Sequence, residues 1–585
     1  MSSGGTAQQG TIGRLWQEAC EAGFARPAFL AQQDNGWSPV SWDDAARQVD
    51  ELAAGFAATG VDRGDRVALL ARTRLEWTLV DMAVSSIGAV LVPIYPTSSA
   101  DDVNHIVGHC GVSLLVAETD RQLRRAAPVN ELATVVIEAE GDGSLAGLAA
   151  RGRALLAREA DAVSRRRDRV EPGDVLTYLY TSGTTGLPKA CVLTHRNFTA
   201  MTESVVAMEG LVEPGDSVLL FLPLAHNFAR LMQLVAIHKG VPLAFCRDFL
   251  GVPAALQDLR PTLLPGVPRF YERVASQVQA EIDAGSPFRA ALARRALATA
   301  RRAAVLRRAG RRRGILLRAQ LALADRVVWS RVHDRFGGRL RFGVSGGAPL
   351  PPAVAELFDA IGVAVLEGYG LSEATCASHF NRPDRHRLGT VGPPLPGVDC
   401  RLAGDGEILL AGETIFAGYL DDPEATAAVL GDDGWLRTGD IGEVDADGYL
   451  RIVDRKKDLI VTSGGKNISP QKLEHALAAD PLVSQAFVVG DGRPYLVALI
   501  APDLAEARRR GIDREQLERQ VADSVKRLNH QVGKAERIAR HRVLDREFSQ
   551  EAGEITPTLK LRRRSCAERF AEEIDQLYAD RLAGA

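Results

Sequence analysis

The chain has 585 residues, more than one hydrophobic core accommodates, so at least two domains are expected. Hydrophobic residues make up 46% and charged residues 25%, an ordinary globular balance, and 71 basic against 74 acidic residues leave a formal charge of −3 that gives no global pull toward nucleic acid or an anionic membrane. Seven scattered cysteines, odd in number and with no CxxC pair, argue against both a disulfide framework and a zinc site. The opening MSSGGTAQQG lacks the charged and apolar parts of a secretory signal. The most apolar stretch, 79–95, is interrupted by Asp81, Ser85 and Ser86 and falls short of a spanning helix. A cytoplasmic protein is the expectation.

Taken in order, residues 41–94 alternate between helical and strand patterns. A helix is expected over 43–59, a strand over 66–71, a helix ending at Ile87, and an apolar strand over 89–94. The alternation returns with a strand over 217–222, a helix over 228–239, a strand over 340–345 and a helix over 352–361. Between these, 288–318 is rich in Ala and Arg. On a helix, the pairs Arg294/Arg295, Arg301/Arg302 and Arg307/Arg308 would form a basic stripe. That stripe reads either as a solvated face or as a peripheral contact for an anionic membrane surface or an acidic partner. From 397 to 452, short strand-like runs separated by Gly-Asp turns mark a β-rich section. After Arg455 the pattern changes to a helix over 470–479, strands over 485–489 and 496–501, and a polar helix over 513–532. The boundary is placed in Asp454-Arg455-Lys456-Lys457-Asp458, giving domains 1–454 and 455–585.

The most specific string is Tyr180-Thr181-Ser182-Gly183-Thr184-Thr185-Gly186-Leu187-Pro188-Lys189, which follows an apolar strand. Glycines Gly183 and Gly186 let a backbone approach an anion, while Thr181, Ser182, Thr184, Thr185 and Lys189 supply donors. This reads as a polyphosphate cradle. It is not a Walker A loop, because Lys189 follows Pro188 and precedes Ala190.

The same string resembles the phosphate-binding signature of the acyl-adenylate-forming (AMP-binding) enzymes, which include acyl-CoA synthetases, peptide-synthetase adenylation domains and luciferases. Further motifs follow in the family's order from about Thr11 to Arg564. Glu367-Gly368-Tyr369-Gly370-Leu371-Ser372-Glu373 is similar to the family's Tyr-Gly-x-Thr-Glu motif, with Ser372 in place of the usual Thr. The resemblance implies that Tyr369 stacks on adenine between Gly368 and Gly370, and that Glu373 and Thr181 hold Mg²⁺. Ser345-Gly346-Gly347 resembles the other wall of the adenine pocket. Asp440, at a glycine-flanked turn, suits two vicinal ribose hydroxyls, with Arg455 as a second nucleotide contact. The stretch 433–457 resembles fatty acyl-CoA synthetases in particular.

His226, in Leu222-Pro223-Leu224-Ala225-His226-Asn227, corresponds to a residue beside the reacting carboxylate and is assigned to positioning, not to a general base. Asn227 departs from the apolar residue usual there. Lys560, in Glu554-Ile555-Thr556-Pro557-Thr558-Leu559-Lys560, resembles the family's terminal lysine, whose charge stabilises the attacked α-phosphate. Gly464 and Gly465 resemble the glycines lining the passage for the pantetheine arm.

The resemblance thus implies an α/β fold: a large N-terminal domain of two αβα layers plus a β-barrel, and a small α+β C-terminal domain that rotates. It implies ATP, Mg²⁺ and CoA as cofactors and a long- or medium-chain fatty acid as substrate. A carrier-protein phosphopantetheine thiol as acceptor, and a membrane-docked scaffold with a decayed site, stand as alternatives. A monomer and a homodimer both fit.

Overall fold

The computed structural model describes residues 10–33, 36–125, 132–181, 188–284, 286–308, 311–312, 314–325, 329–461, 467–556 and 560–579. Among them, the alternating N-terminal pattern forms two large sheets that share one core. The first sheet runs in the order Gly418–Tyr419, Lys189–Thr194, Val175–Thr181, Val90–Ile94, Arg66–Leu70, Leu114–Ala117, Ala133–Val136. It is parallel from Val175–Thr181 onward and antiparallel at its first two pairings. Its central strands are covered on both faces, which is why Val90–Ile94 is buried at every position. In Arg66–Leu70, Val67 and Leu69 enter the shared core while Ala68 and Leu70 pack with Ile106 and Val107 on the other face.

The second sheet has the order His379–Phe380, Ala364–Tyr369, Phe342–Ser345, Leu263–Gly266, Val218–Leu220, Leu243–Phe245, Phe29–Gln33, Gly36–Val40. All its pairings are parallel except the two at its edges.

Two helices seated in the shared core tie the sheets together. Leu75–Ser86 is buried continuously from Trp77 to Ser86, so the apolar stretch noted in the sequence is a core helix running into a core strand. Asn227–Lys239 is capped by His226 and ended by Gly240 at φ +63°, a left-handed conformation that glycine adopts without a Cβ penalty. Between these helices Arg230 donates to Asp81 at 2.6 and 3.0 Å, and Gln233 donates to the same carboxylate at 2.9 Å. Arg230 and Asp81 are both fully buried. Asp81, which looked like a mere interruption in the apolar run, is the joint between the two halves of the large domain.

The β-rich section forms a four-stranded antiparallel sheet of Asp399–Leu402, Glu407–Ala411, Leu436–Val444 and Leu450–Arg455. Beyond it, Val483–Val489, Leu496–Pro502 and Ile538–Val543 make a three-stranded sheet. Its central strand alternates Leu496, Ala498 and Ile500 toward one cluster and Val497, Leu499 and Ala501 toward another. Helices Pro470–Ala478 and Arg514–Gln531 cover the first face, and Arg563–Arg569 and Ala571–Ala579 the second. These cores are separate from the large one.

The basic region is two helices, Pro287–Arg308 and Ile315–Ala324. Seven residues turn a helix by about 700°, so Arg308 stays in line with Arg294 and Arg301, while Arg307, six residues after Arg301, rotates away from them. Arg307 pairs with the buried Asp359 carboxylate, and Arg308 reaches the same group at 3.0 Å.

Candidate active site

The carboxyl ends of the parallel strands open into one cavity of about 2000 Å³, bounded on its far side by the small domain. Thr181 ends strand Val175–Thr181, and Lys189 begins the strand paired directly with it, with Thr181 opposite Lys189 in register. The segment between them thus connects two antiparallel strands. Ser182, Gly183, Thr184, Thr185 and Gly186 lie outside the described residues, as do Gly464 and Gly465. Lys189 forms an ion pair with Asp422 at 2.9 Å, its ammonium 5.5 Å from the centre of the Tyr419 ring.

Glu373 lies in a short turn, Ser372–Ala374, also on the cavity wall. Tyr419 donates its hydroxyl to Glu373 Oε1 at 2.7 Å, and the Phe416 N–H donates to the Glu373 carbonyl at 2.9 Å. Two residues on, Thr375 adopts φ +63°, rare for a β-branched residue, and its hydroxyl donates to the Thr414 carbonyl at 2.5 Å. That strained backbone fixes the turn carrying Glu373. Gly370 is required by close approach, since a Cβ there would stand 1.7 Å from the Cys376 carbonyl oxygen. Gly347 stands at φ +84° in the loop after strand Phe342–Ser345, and Gly368 and Ser372 also line the cavity.

Tyr369 and Asp440 are brought together: the Tyr369 hydroxyl donates to Asp440 Oδ2 at 2.6 Å. Arg455 lies opposite Asp440 in the antiparallel ladder and contacts its Oδ1 at 3.1 Å. Burial works against the Arg455 charge, but Asp440, Asp458, Tyr369 and Glu373 outweigh it and its pKa stands above the ordinary value. Burial and the Asp440 carboxylate together keep the Tyr369 phenol protonated. Each oxygen of Asp440 keeps acceptor capacity for a further hydroxyl.

Lys560 reaches the same cavity from the small domain. The Thr556 N–H donates to the Lys560 carbonyl at 2.8 Å, the Lys560 N–H donates to Thr556 Oγ1 at 3.0 Å, and Ile555 bridges Leu561. Close by in sequence, the buried Glu554 carboxylate takes two bonds from Arg546, at 2.6 and 2.7 Å, and one from the Ser549 N–H at 3.0 Å. Burial lowers the Lys560 pKa to about 8, with the Arg455 charge adding to the effect and Asp440 opposing it.

His226 caps helix Asn227–Lys239 through Nδ1, which accepts the Phe228 N–H at 3.2 Å. Burial, then the charge of Lys560, pushes its pKa down to about 4. At neutral pH it is therefore uncharged, and with Nδ1 used as an acceptor the ring proton sits on Nε2.

Two wall residues escaped the sequence reading. Tyr419 sits in a two-residue edge strand with no periodicity to reveal it. Glu367 was visible as an acid inside the apolar strand Ala364–Tyr369. It accepts the Leu350 N–H at 3.2 Å, tying down the Ser345–Gly347 loop, and burial raises its pKa to about 7. The lining also includes the apolar side chains of Val205, Leu211, Val212, Leu231, Met232 and Phe342. Among the described residues no three His, Cys, Asp or Glu side chains gather as a metal cluster. A lone carboxylate such as Glu373, oriented by Tyr419, is what Mg²⁺ uses when phosphate oxygens and waters complete its shell.

The family described as AMP-binding enzyme matches residues 16–420, and the AMP-binding enzyme C-terminal domain matches 457–582. The long-chain-fatty-acid–CoA ligase FadD15 of Mycobacterium bovis is 37% identical over 568 residues, covering 93% of this chain and 93% of the relative. Its namesake from Mycobacterium tuberculosis is 36% identical over the same length and coverage. Among solved structures, the adenylation domain of a carboxylate reductase from Mycobacterium chelonae aligns with a TM-score of 0.76 at 23% identity, covering 97% of this chain and 91% of that one. This chain belongs to the AMP-binding enzyme family.

Proposed function

We propose that this chain is an AMP-forming fatty acid–CoA ligase acting on long- or medium-chain acids. The observation that carries the reading is a single cavity lined by Thr181, Glu373, Asp440, His226 and Lys560 together with apolar side chains. The polar groups suit a nucleotide and the apolar ones an acyl chain. Long-chain relatives similar over 93% of the chain support the same substrate class.

The fatty carboxylate, already ionised at neutral pH, needs no general base. One of its oxygens attacks the α-phosphorus of ATP, the bond to the β-phosphate oxygen breaks, and pyrophosphate leaves. Lys560 stabilises charge on the α-phosphoryl oxygens, and the Nε2–H of His226 orients the carboxylate. Asp440 accepts the ribose hydroxyls, Tyr369 and Arg455 fix that carboxylate, and Lys189 with its loop holds the outer phosphates. Mg²⁺ held at Glu373 and Thr181 would neutralise phosphate charge. The CoA sulfur then attacks the acyl carbonyl, its proton is lost to solvent, and AMP departs.

We place the domain boundary at Asp454–Arg455, within the last strand of the four-stranded sheet, and assign to Asp454 the pivot between the half-reactions. Pyrophosphate exchange tests adenylation. Thioester formation across acid lengths, with CoA against a pantetheinylated carrier protein, tests substrate and acceptor. Exchange without a thioester on CoA would reassign the acceptor, and no exchange with any fatty acid would overturn the reading.

A further inference from the structure

Helix Ala100–His109 follows strand Val90–Ile94, and its Val103, Ile106 and Val107 pack in the cluster that holds Tyr180 and Ala190 of the first sheet. Ser99 caps it by accepting the Asp102 N–H at 3.1 Å, and Ser98, Asp102 and Ile106 reach the cavity wall. His105 and His109, four residues apart, fall on one side of this helix. Their rings are stacked, with centroids 5.3 Å apart and planes at 24°. No step of adenylation or thioester formation uses either ring.

Both rings meet the strand pair Val175–Thr181 and Lys189–Thr194. His105 Nε2 stands 3.1 Å from the Pro188 carbonyl oxygen. A carbonyl only accepts, so that nitrogen carries a proton and donates it. His109 Nδ1 stands 2.8 Å from the Tyr180 hydroxyl, and the Tyr180 ring meets both imidazoles edge-on, at 6.1 and 5.9 Å. Thr181 and Lys189 are the last partners of the ladder, so Tyr180 lies just inside it and Pro188 just beyond. Pro188 has no N–H to donate, and the bond from His105 holds its carbonyl.

Two histidines four residues apart on a helix are also an arrangement that binds metal ions. Here each ring already commits one nitrogen to the protein, and among the described residues no group of three His, Cys, Asp or Glu side chains includes them. A brace fits the contacts better. The Lys189 ammonium is held by Asp422 at 2.9 Å, and His105 holds the backbone one residue earlier. One helix thus fixes both strands beside Thr181 and Lys189.

We propose that His105 is a positioning residue for the adenylation half-reaction, and that with His109 it sets the backbone from which Thr181 and Lys189 meet the nucleotide. This role rests on the ligase reading, in which Lys189 holds the outer phosphates of ATP. Those phosphates leave as pyrophosphate once acyl-AMP has formed. The brace therefore acts in the first half-reaction and is idle in the second.

The test uses the full-length protein and compares His105→Leu and His105→Asn with His105→Gln. The first removes the donor, the second draws it out of reach, and the Gln amide N–H replaces Nε2–H. Calorimetry gives the Kd for MgATP without acid, and pyrophosphate exchange gives KM for ATP and for the fatty acid. Acyl-AMP supplied with CoA reads the second half-reaction alone. The Leu and Asn variants are expected to raise Kd and KM for ATP roughly 3- to 10-fold, the worth of one hydrogen bond. KM for the acid and the rate from acyl-AMP are expected to stay at wild-type values, and the Gln variant to recover most of the loss. Wild-type ATP affinity in either the Leu or the Asn variant would overturn the proposal. So would equal losses in both half-reactions, or a Gln variant as weak as the Leu variant, since each makes His105 a packing residue. A wild-type protein that binds ATP and exchanges no pyrophosphate with any fatty acid would overturn the ligase reading, and the calorimetric comparison would still decide the brace.

Discussion

At Lys560 the fold places two opposing fields on one ammonium. Burial and Arg455 disfavour its charge and Asp440 favours it, leaving a pKa of about 8. The charged form prevails below that value, so kcat/KM for pyrophosphate release is expected to fall as pH rises through about 8. Lys560→Arg, which stays charged, should carry the plateau to higher pH, and a pH–rate profile reads the difference. Lys560→Ala should slow adenylation by roughly 10²–10³, the usual loss for one preorganised charge contact, while thioester formation from supplied acyl-AMP survives. Glu367 carries a second pH signature. Its pKa is raised from 4.5 to about 7 by burial, so the folded state holds a proton that the unfolded chain has lost between those values. Stability from this group is therefore present at low pH and declines as pH rises through that window, by up to about 3 kcal/mol. Glu367→Gln keeps an acceptor for Leu350 and is expected to flatten that decline when urea midpoints are compared from acid to neutral pH.

At the scale of elements, the sequence was most legible where a local pattern had one solution. Helix Pro352–Ile361 was expected over 352–361, and Asn227–Lys239 and Arg66–Leu70 stand within one residue of their expected ranges. The shared place of Lys189, Glu373 and Asp440 on the cavity wall agrees with their motifs for a related reason: each lies in a contiguous string whose glycines punctuate the chain. What could not be read was pairing at a distance. Nothing local shows that Tyr419 meets Glu373, that Arg307 turns inward to Asp359, or that Asp81 meets Arg230. Removing one partner of a buried ion pair strands the other, so Asp81→Asn is expected to cost about 3–5 kcal/mol. A lowered urea midpoint for the large domain, with the small domain unaffected, is the measurement. An unchanged midpoint would mean that water or a neighbour rescues Arg230.

Across the whole molecule, Lys560 of the small domain lines a cavity whose other walls come largely from the large domain. The domains meet where Arg269 donates to Ser484 at 3.2 Å, and where the buried Asp454 accepts from Ser469 and, at 2.6 Å, from the Arg455 N–H. If Asp454 is the pivot, fixing φ near −65° should hold one arrangement. Asp454→Pro is expected to retain single-turnover pyrophosphate release and to lose acyl-CoA production followed by mass spectrometry. Asp454→Ala removes the Ser469 contact without locking φ and should keep both. A folded proline variant making acyl-CoA at the wild-type rate would remove Asp454 from that role.

The buried pair of Asp81 and Arg230 also bears on how such chains can be recombined. The two residues lie on helices that follow strands of different sheets, and neither charge has water to fall back on. A crossover anywhere between them would graft one half of the large domain onto a stranger's other half. It is tolerated only if the donor supplies the matching acid or arginine at the same depth. Crossovers outside that interval inherit the pair intact, so viable hybrids of this chain should have their breakpoints before Asp81 or after Arg230.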